Sequence, residues 1–239
     1  MKHIHFRALL CSIMVALLTG CAPAQTRTSV VRITGAMRNT MFNGQLAGLI
    51  AIDSIAKPGT YGLGPLEYLR GELLVIDGHC YVATATSDST MMVTEQRDVS
   101  APFFVHQRVN TWTLVALPDS VIDLATLDAF LTTAYGMLGA PFAFKLTGTF
   151  TDVDAHIVDV PPGTEVHGPD DAHRGNKSYH LSGAVVEAVG FFSTRHKAVF
   201  THHDTNIHVH AITVDRKWMG HVEELRFEPR AVQLNVAGN

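Results

Sequence analysis

The stretch HVHAITVDRKWMGH, residues 208–221, decides how the C-terminal half of this chain folds. Side chains two residues apart on a β-strand point to the same face, so His208 and His210 share one face. A tight turn at Asp215-Arg216 would place His221 directly opposite His210, with Cβ atoms about 5 Å apart. The stretch is therefore predicted to be a β-hairpin that gathers three imidazole rings.

Three convergent histidines are the ligand set of a catalytic zinc ion, with a fourth position open for water or substrate. We therefore predict Zn²⁺ as the cofactor, bound by His208, His210 and His221. Two alternatives stay open. Asp-Arg is not a favoured pair for a tight turn, and a wider turn nearer Lys217 would move His221 away from the pair. A one-residue slip would turn His221 to the other face of the sheet.

The chain has 14 histidines, and most of them need no functional explanation. Six others lie in predicted loops or at strand ends and are interpreted as surface residues: His167, His173, His180, His196, His202 and His203. Cys80 lies in an apolar strand pattern after a turn, so we expect a buried, inert thiol.

Length and composition indicate a folded protein of one large or two small domains, with 239 residues, 46% hydrophobic and 17% charged. The formal net charge is −4, and the chain has no basic run, which argues against nucleic-acid binding. The fold class is α+β, with mostly antiparallel or mixed sheets in two packed subdomains and two main helices. The halves are predicted at about 30–150 and 151–239, the second holding the metal.

The two predicted helices are Met37–Ile52, weakened by Gly44 and Gly48, and Ser120–Leu138, with Ser120 as its cap. Asp77-Gly78 predicts a tight hairpin between two strands. A long polar loop is expected at 161–180. The other predicted strands are 103–109, 111–117, 141–150, 153–160, 184–193, 197–201, 207–214 and 218–227.

The N-terminus is predicted to be a signal peptide, residues 1–20, with a basic start and the apolar run Ala8–Leu18. Leu18-Thr19-Gly20-Cys21 resembles a bacterial lipobox, which implies lipidation of Cys21 and a tether over 21–29. The alternative is an ordinary secretory signal cut near Ala24. We expect an exported, lipid-anchored protein, on the periplasmic side or the cell surface, that contacts the membrane through the anchor alone.

The histidine motif, the hairpin Gly71-Glu72-Leu73 and the segment Gly183–Phe191 together resemble the bacterial alpha-acetolactate decarboxylases. The resemblance runs from about residue 30 to 228. It implies conversion of a small 2-hydroxy-3-keto acid, 2-acetolactate, to acetoin and carbon dioxide. The metal would polarise the ketone as a Lewis acid. Glu72 matches a catalytic glutamate of the family that would deliver a proton. The alternative for Glu72 is a hairpin residue that faces solvent.

The chain departs from the family at three places. The family has an arginine in the strand that corresponds to 143–147, and Lys145 is predicted to take its role against the substrate carboxylate. Pro65 replaces a threonine of the family. The family also has a glutamate in its C-terminal tail, and this chain has no acidic residue after Glu228. A zinc-dependent small-ester hydrolase and a non-catalytic metal-binding lipoprotein remain alternatives. The oligomeric state is left open, with a homodimer as one option.

Overall fold

Two antiparallel sheets form the framework of the protein. The structure is a computed structural model, and it describes residues 30–238. The first half of the described chain holds nine strands: β1 Arg32–Thr34, β2 Ile50–Ala51, β3 Thr60–Pro65, β4 Glu72–Ile76, β5 His79–Ala85, β6 Met91–Glu95, β7 Ser100–Ala101, β8 Phe104–Arg108 and β9 Trp112–Val115. The second half holds five: β10 Phe142–Ile157, β11 Lys177–Phe192, β12 Ile207–Thr213, β13 Met219–Arg226 and β14 Val232–Ala237. The helices are α1 Met37–Asn43, α2 Leu124–Tyr135 and α3 Pro169–His173.

The first sheet has the order β1-β8-β3-β4-β5-β6, and the second has the order β11-β12-β13-β10-β14-β9. In the second sheet β10 also pairs with β11, so β10, β11, β12 and β13 close into a ring. Strands β2 and β7 form a small separate pair. The predicted α+β class with mainly antiparallel sheets is confirmed.

One large hydrophobic cluster joins the two sheets, with Leu63 and Leu74 from the first sheet and Phe144 and Phe191 from the second. Strand β10 runs without interruption through residue 150, and β9 already belongs to the second sheet. The boundary between the two sheets therefore lies between Arg108 and Trp112 along the chain.

The β4–β5 hairpin has the predicted Asp-Gly turn. Asp77 and Gly78 both have positive φ angles, 50° and 83°, which this two-residue turn requires. The Asp77 carboxylate also accepts a hydrogen bond from the backbone N–H of Gly59 at 2.6 Å. This hairpin fixes the position of Glu72 at the start of β4.

Helix α2 begins at a different cap from the predicted Ser120. The Asp123 carboxylate accepts a hydrogen bond from the N–H of Thr126 at 2.8 Å, and the Thr126 hydroxyl lies 3.1 Å from the N–H of Asp123. Because this reciprocal pair satisfies the first amides of the helix, the helix begins at Leu124. Asp128 in the helix then accepts from the N–H of Asn206 at 2.9 Å, which anchors the chain just before β12.

Four other expectations about secondary structure are corrected. The helix predicted to reach Ile52 ends at Asn43, because Gly44 takes the left-handed conformation that closes a helix. The loop 161–180 contains α3 and the start of β11. Residues 197–201 form a turn with an isolated bridge instead of a strand. Strand β14 was not predicted, and the strands expected at 141–150 and 153–160 are the single strand β10.

The predicted signal peptide, Cys21 and the tether 21–29 lie outside the described residues. Among residues 30–238, no helix is both long and apolar enough to cross a membrane. Cys80 is buried and free, and burial raises the pKa of its thiol to about 12, in agreement with the expected inert thiol.

Candidate metal centre

The β12–β13 hairpin places the three predicted ligands together. His210 pairs directly with His221, as predicted from the turn at Asp215-Arg216. Four residues separate the last bonded pair, Thr213 and Trp218, and Arg216 takes a positive φ of 59° to close the turn. Asp-Arg is an uncommon pair in a tight turn. Here the Asp215 carboxylate stabilises the turn, because it accepts hydrogen bonds from the Thr213 hydroxyl and the Lys217 N–H.

His208, His210 and His221 are buried, and one ring nitrogen of each lies within 4.8 Å of the others. Nδ1 of His208 lies 2.6 Å from the carbonyl oxygen of Phe200, and Nδ1 of His210 lies 3.0 Å from that of Leu73. A carbonyl only accepts, so both Nδ1 atoms carry the proton and both Nε2 atoms keep a lone pair. The two rings therefore present unprotonated nitrogens to the centre of the cluster.

The cluster fits a divalent metal ion. Nε2 of His210 is buried and has no hydrogen-bond partner among the described residues. Leaving a buried acceptor unpaired costs about 1–3 kcal/mol, which a bound cation would remove. Burial is the main cause that lowers the pKa of each ligand: well below the usual range for His208 and His221, and to about 3 for His210. Neutral imidazoles of this kind are the form that binds metal.

Glu72 faces the same cluster from the first sheet. One carboxyl oxygen accepts a hydrogen bond from the N–H of Val158 at 3.1 Å, and the other lies 3.6 Å from Nε2 of His210. The residue is 2% exposed, so the solvent-facing alternative for Glu72 is wrong. Burial raises the pKa of this carboxyl well above its usual range, and the Val158 amide opposes that shift only in part. The protonated acid is thus favoured.

A cavity of about 180 Å³ opens onto Glu72, His208 and His221. Its charged side chain is Arg38, an exposed residue of α1 that forms no ion pair with any residue of 30–238. Much of the remaining wall is apolar: Met37, Met41, Phe42, Pro65, Phe103 and Val158. The arrangement can admit a small anionic molecule to the histidine cluster and keep bulk water away from Glu72.

His156 is a cavity residue that the sequence analysis missed. It lies in β10 directly opposite His221, and the two rings stack with centroids 4.6 Å apart. Its Nδ1 lies 2.6 Å from the Glu223 carboxylate. Glu223 is the extra residue of a β-bulge, since Asp154 pairs with Glu224 and Ala155 with Val222. A bulge redirects side chains, and here it accompanies the contact between Glu223 and His156.

Three histidines interpreted as surface residues line the cavity as well: His173, His202 and His203. Nε2 of His202 lies 3.0 Å from Nε2 of His221, and burial lowers the pKa of His202. His173 in α3 and His203 keep the expected exposure, and desolvation lowers the pKa of His173. None of the three positions follows a strand or helix period, so the sequence offers no signal for them beyond the abundance of histidine.

Lys145 is not brought to the cavity. It lies in β10 between Val189 and Asn235 of the neighbouring strands, and its ammonium group lies over the ring of Trp112, 5.0 Å from the centroid. It is not among the residues that line the cavity. The residue of β10 that reaches the site is His156, eleven positions further along the strand.

Comparisons with known proteins agree with this geometry. The family model for alpha-acetolactate decarboxylase matches residues 34–239. The alpha-acetolactate decarboxylase of Brevibacillus brevis is 26% identical over 203 residues, which cover 82% of this chain and 67% of that protein. The match to the family model extends over both sheets and the histidine cluster.

Solved structures resemble the fold. The alpha-acetolactate decarboxylase of Bacillus subtilis strain 168 superposes with a TM-score of 0.71 at 18% identity, over 88% of this chain and 86% of that one. A Staphylococcus aureus protein described as of unknown function and similar to alpha-acetolactate decarboxylase gives 0.69 at 18% identity, over 87% and 84%. At this level of identity, the likeness establishes a common fold.

Proposed function

Because the chain belongs to the alpha-acetolactate decarboxylase family, we propose that it is a zinc-dependent carboxy-lyase that converts 2-acetolactate to acetoin and carbon dioxide. The observation that carries the proposal is the position of Glu72. Its buried carboxyl, with a raised pKa, lies 3.6 Å from the unpartnered Nε2 of His210 and opens onto the same small cavity as the other ligands.

His208, His210 and His221 would hold the ion, and three neutral nitrogen donors with an open position are typical of catalytic zinc. When bound, the ion supplies a Lewis acid that polarises the substrate ketone and stabilises the negative charge formed as carbon dioxide leaves. The chain supplies the rest. The backbone carbonyls of Leu73 and Phe200 fix the orientation of two ligands, and the first sheet holds Glu72 against them.

The cavity suits a small acid. Its volume of about 180 Å³ is below the ~300–1,000 Å³ of sites for drug-sized ligands. We assign contact with the substrate carboxylate to Arg38, whose guanidinium has no protein carboxylate as partner among the described residues and can bind an anion through two parallel hydrogen bonds. This replaces the role predicted for Lys145.

Glu72 provides the proton. When the bond to the carboxylate carbon breaks, its electron pair stays on the remaining fragment as an enediolate, and carbon dioxide departs. The Glu72 carboxyl then donates its proton to the carbon that lost the carboxylate, which gives acetoin, and the carboxylate is reprotonated from water. Pro65 pairs with Glu72 across β3 and β4 and adds apolar surface beside the acid.

The experiment measures acetoin and carbon dioxide after adding racemic 2-acetolactate to purified protein, as isolated, after chelation and after zinc is restored. The proposal expects both products in equal amounts, with activity lost on chelation and regained with zinc. Zinc-loaded protein that yields no acetoin would refute it. Hydrolysis of small esters by the same preparation would favour the hydrolase alternative.

We also propose that residues 1–20 are a lipoprotein signal and that Cys21 carries the lipid, which would place the enzyme outside the cytoplasm on a membrane anchor. Growth of a bacterial expression host with labelled fatty acid tests this directly. The wild-type chain should take up label, and Cys21→Ser should not. Label retained by Cys21→Ser would refute the assignment.

A further inference from the structure

Each histidine of the metal cluster has a second ring nitrogen, and the partners of these nitrogens differ. His208 and His210 use Nδ1 to donate to the backbone carbonyls of Phe200 and Leu73. Such partners fix the tautomer and orientation of a ligating histidine, and they are usually carbonyls, carboxylates or water. His221 has a different arrangement, because the imidazole of His202 occupies this outer position.

The hairpin fixes which nitrogen of His221 faces the cluster. Its Nδ1 lies 3.0 Å from Nε2 of His208, on the side of the cluster, and its Nε2 lies 3.0 Å from Nε2 of His202. A hydrogen bond between two imidazole nitrogens needs one donor and one acceptor. If Nδ1 of His221 keeps its lone pair for a metal ion, Nε2 carries the proton and His202 must accept it.

The position of His202 is held by the turn that contains it. The carbonyl of Thr201 accepts from the N–H of Ala198 at 2.8 Å, and Thr201 itself is fully buried. The amides of Met37 and Arg38 donate to the carbonyls of Val199 and Ala198, so α1 packs on the same turn. The segment 200–202 therefore supplies the outer partners of two ligands, the Phe200 carbonyl for His208 and the His202 ring for His221.

We propose that His202 is a positioning residue of the metal centre, which accepts a hydrogen bond from Nε2–H of His221 and so holds His221 in the tautomer and orientation that present Nδ1 to the ion. The inference rests on the proposed function only in requiring a metal at the triad. His202 lies outside the group of three histidines whose ring nitrogens lie within 4.8 Å of one another, and its Nε2 contacts the other ring nitrogen of His221, Nε2.

The test measures the zinc affinity of the full chain by competition with a chromogenic chelator. We expect His202→Ala to weaken zinc binding by about 10- to 100-fold, the usual effect of losing an outer partner of a ligand. His202→Gln offers an amide oxygen that can accept the same hydrogen bond, and it should restore most of the affinity. His79→Ala, an exposed histidine of the β4–β5 hairpin that does not line the cavity, is the matched control and should bind zinc like the wild type.

Cobalt substitution gives a readout that a loss of stability would not mimic. The visible bands of the Co²⁺ protein should shift in His202→Ala and return towards wild type in His202→Gln. Zinc affinity and Co²⁺ bands unchanged in His202→Ala would overturn the proposal. Zinc X-ray absorption that counts four imidazole ligands in the wild type would overturn it too, since His202 would then be a ligand.

The zinc-affinity and cobalt measurements do not require substrate, so their outcomes are independent of the decarboxylase assay. If zinc binds and depends on His202 but no acetoin forms, the proposed function fails and the positioning role stands. If His202→Ala does not fold, the comparison of His202→Gln with His202→Leu, of similar size but without an acceptor, decides the question: equal zinc affinity of the two would overturn the proposal.

Discussion

The carboxyl of Glu72 and Nε2 of His210 lie 3.6 Å apart, both buried, on strands of two different sheets. The distance is too long for a hydrogen bond, so Glu72 leaves Nε2 of His210 without a partner. A metal ion on His210 would lie beside a carboxyl whose pKa burial raises. The packing of the two sheets therefore creates the site, and each sheet supplies a different chemical group.

Replacing the acid tests its role. Glu72→Gln keeps the shape of the side chain and an oxygen that can accept from the Val158 amide, but it removes the transferable proton. We expect kcat to fall by about 10²- to 10⁴-fold, the usual contribution of a general acid, with zinc still bound in stoichiometric amount. Acetoin production and metal analysis of the same samples check this. Glu95→Gln, an exposed glutamate of β6, is the control, and unchanged turnover in Glu72→Gln would remove Glu72 from the mechanism.

Removing a ligand should remove the metal and the stability it adds. We expect His208→Ala to lose stoichiometric zinc. In the wild type, free zinc at a hundred times its Kd should add about 2.7 kcal/mol to the free energy of unfolding. Urea denaturation with and without zinc measures both effects. Zinc retained one-to-one by His208→Ala would show that the ligand set is different.

Arg38 and Lys145 are competing candidates for the substrate carboxylate. The geometry favours Arg38, which lines the cavity, over Lys145, whose ammonium lies over Trp112. A hydrogen bond to a charged group contributes about 1.5–3 kcal/mol, so Arg38→Met should lower kcat/KM by roughly 10- to 100-fold, mainly through KM. Steady-state kinetics of Arg38→Met and Lys145→Met decide between them. A larger loss in Lys145→Met would favour the position inferred from the sequence.

Stability should fall in mild acid because of His106, a buried residue of β8 that does not line the cavity. Burial, with a smaller contribution from Arg32, lowers its pKa to about 4, against about 6.5 for an unfolded histidine. The unfolded chain therefore binds a proton first as the pH falls. The neutral ring's contribution is complete above pH 6.5 and is lost as the pH falls towards 4, by up to about 3 kcal/mol.

His106→Gln, which cannot take up a proton, isolates this effect. Urea denaturation of metal-free protein between pH 7.5 and 4.5 should give a shallower decline for the variant than for the wild type. The other histidines titrate in both proteins, so their contribution cancels in the difference. Parallel stability curves would contradict the assignment to His106.

Local features of the site follow from the sequence, and distant ones do not. The pairing of His210 with His221 depends on one hairpin, so strand period and turn position are enough to predict it. His156 needs the pairing of β10 with β13, 65 residues apart, with a register shift at Asp154 and Ala155 that no local pattern reveals. His202 lies in a turn with no period at all.

The same difference between local and distant features explains why the predicted end of α1 was wrong and why Lys145 does not line the cavity as predicted. Apolar residues recur at helical spacing beyond Asn43, but the left-handed conformation of Gly44 ends α1. Lys145 shares a strand with His156, and only the closed ring of β10 to β13 determines which end of that strand meets the metal ligands. The sequence supplies a short set of candidate residues for the site, and the tertiary structure determines which of them come together.

The most direct test of the central claim titrates metal-free protein with zinc and follows acetoin release from 2-acetolactate at each step. The account predicts activity that rises linearly and stops at one zinc per chain, with Glu72→Gln binding the same zinc and producing almost no acetoin. Full activity in the chelated protein, or equal activity in Glu72→Gln, would contradict it.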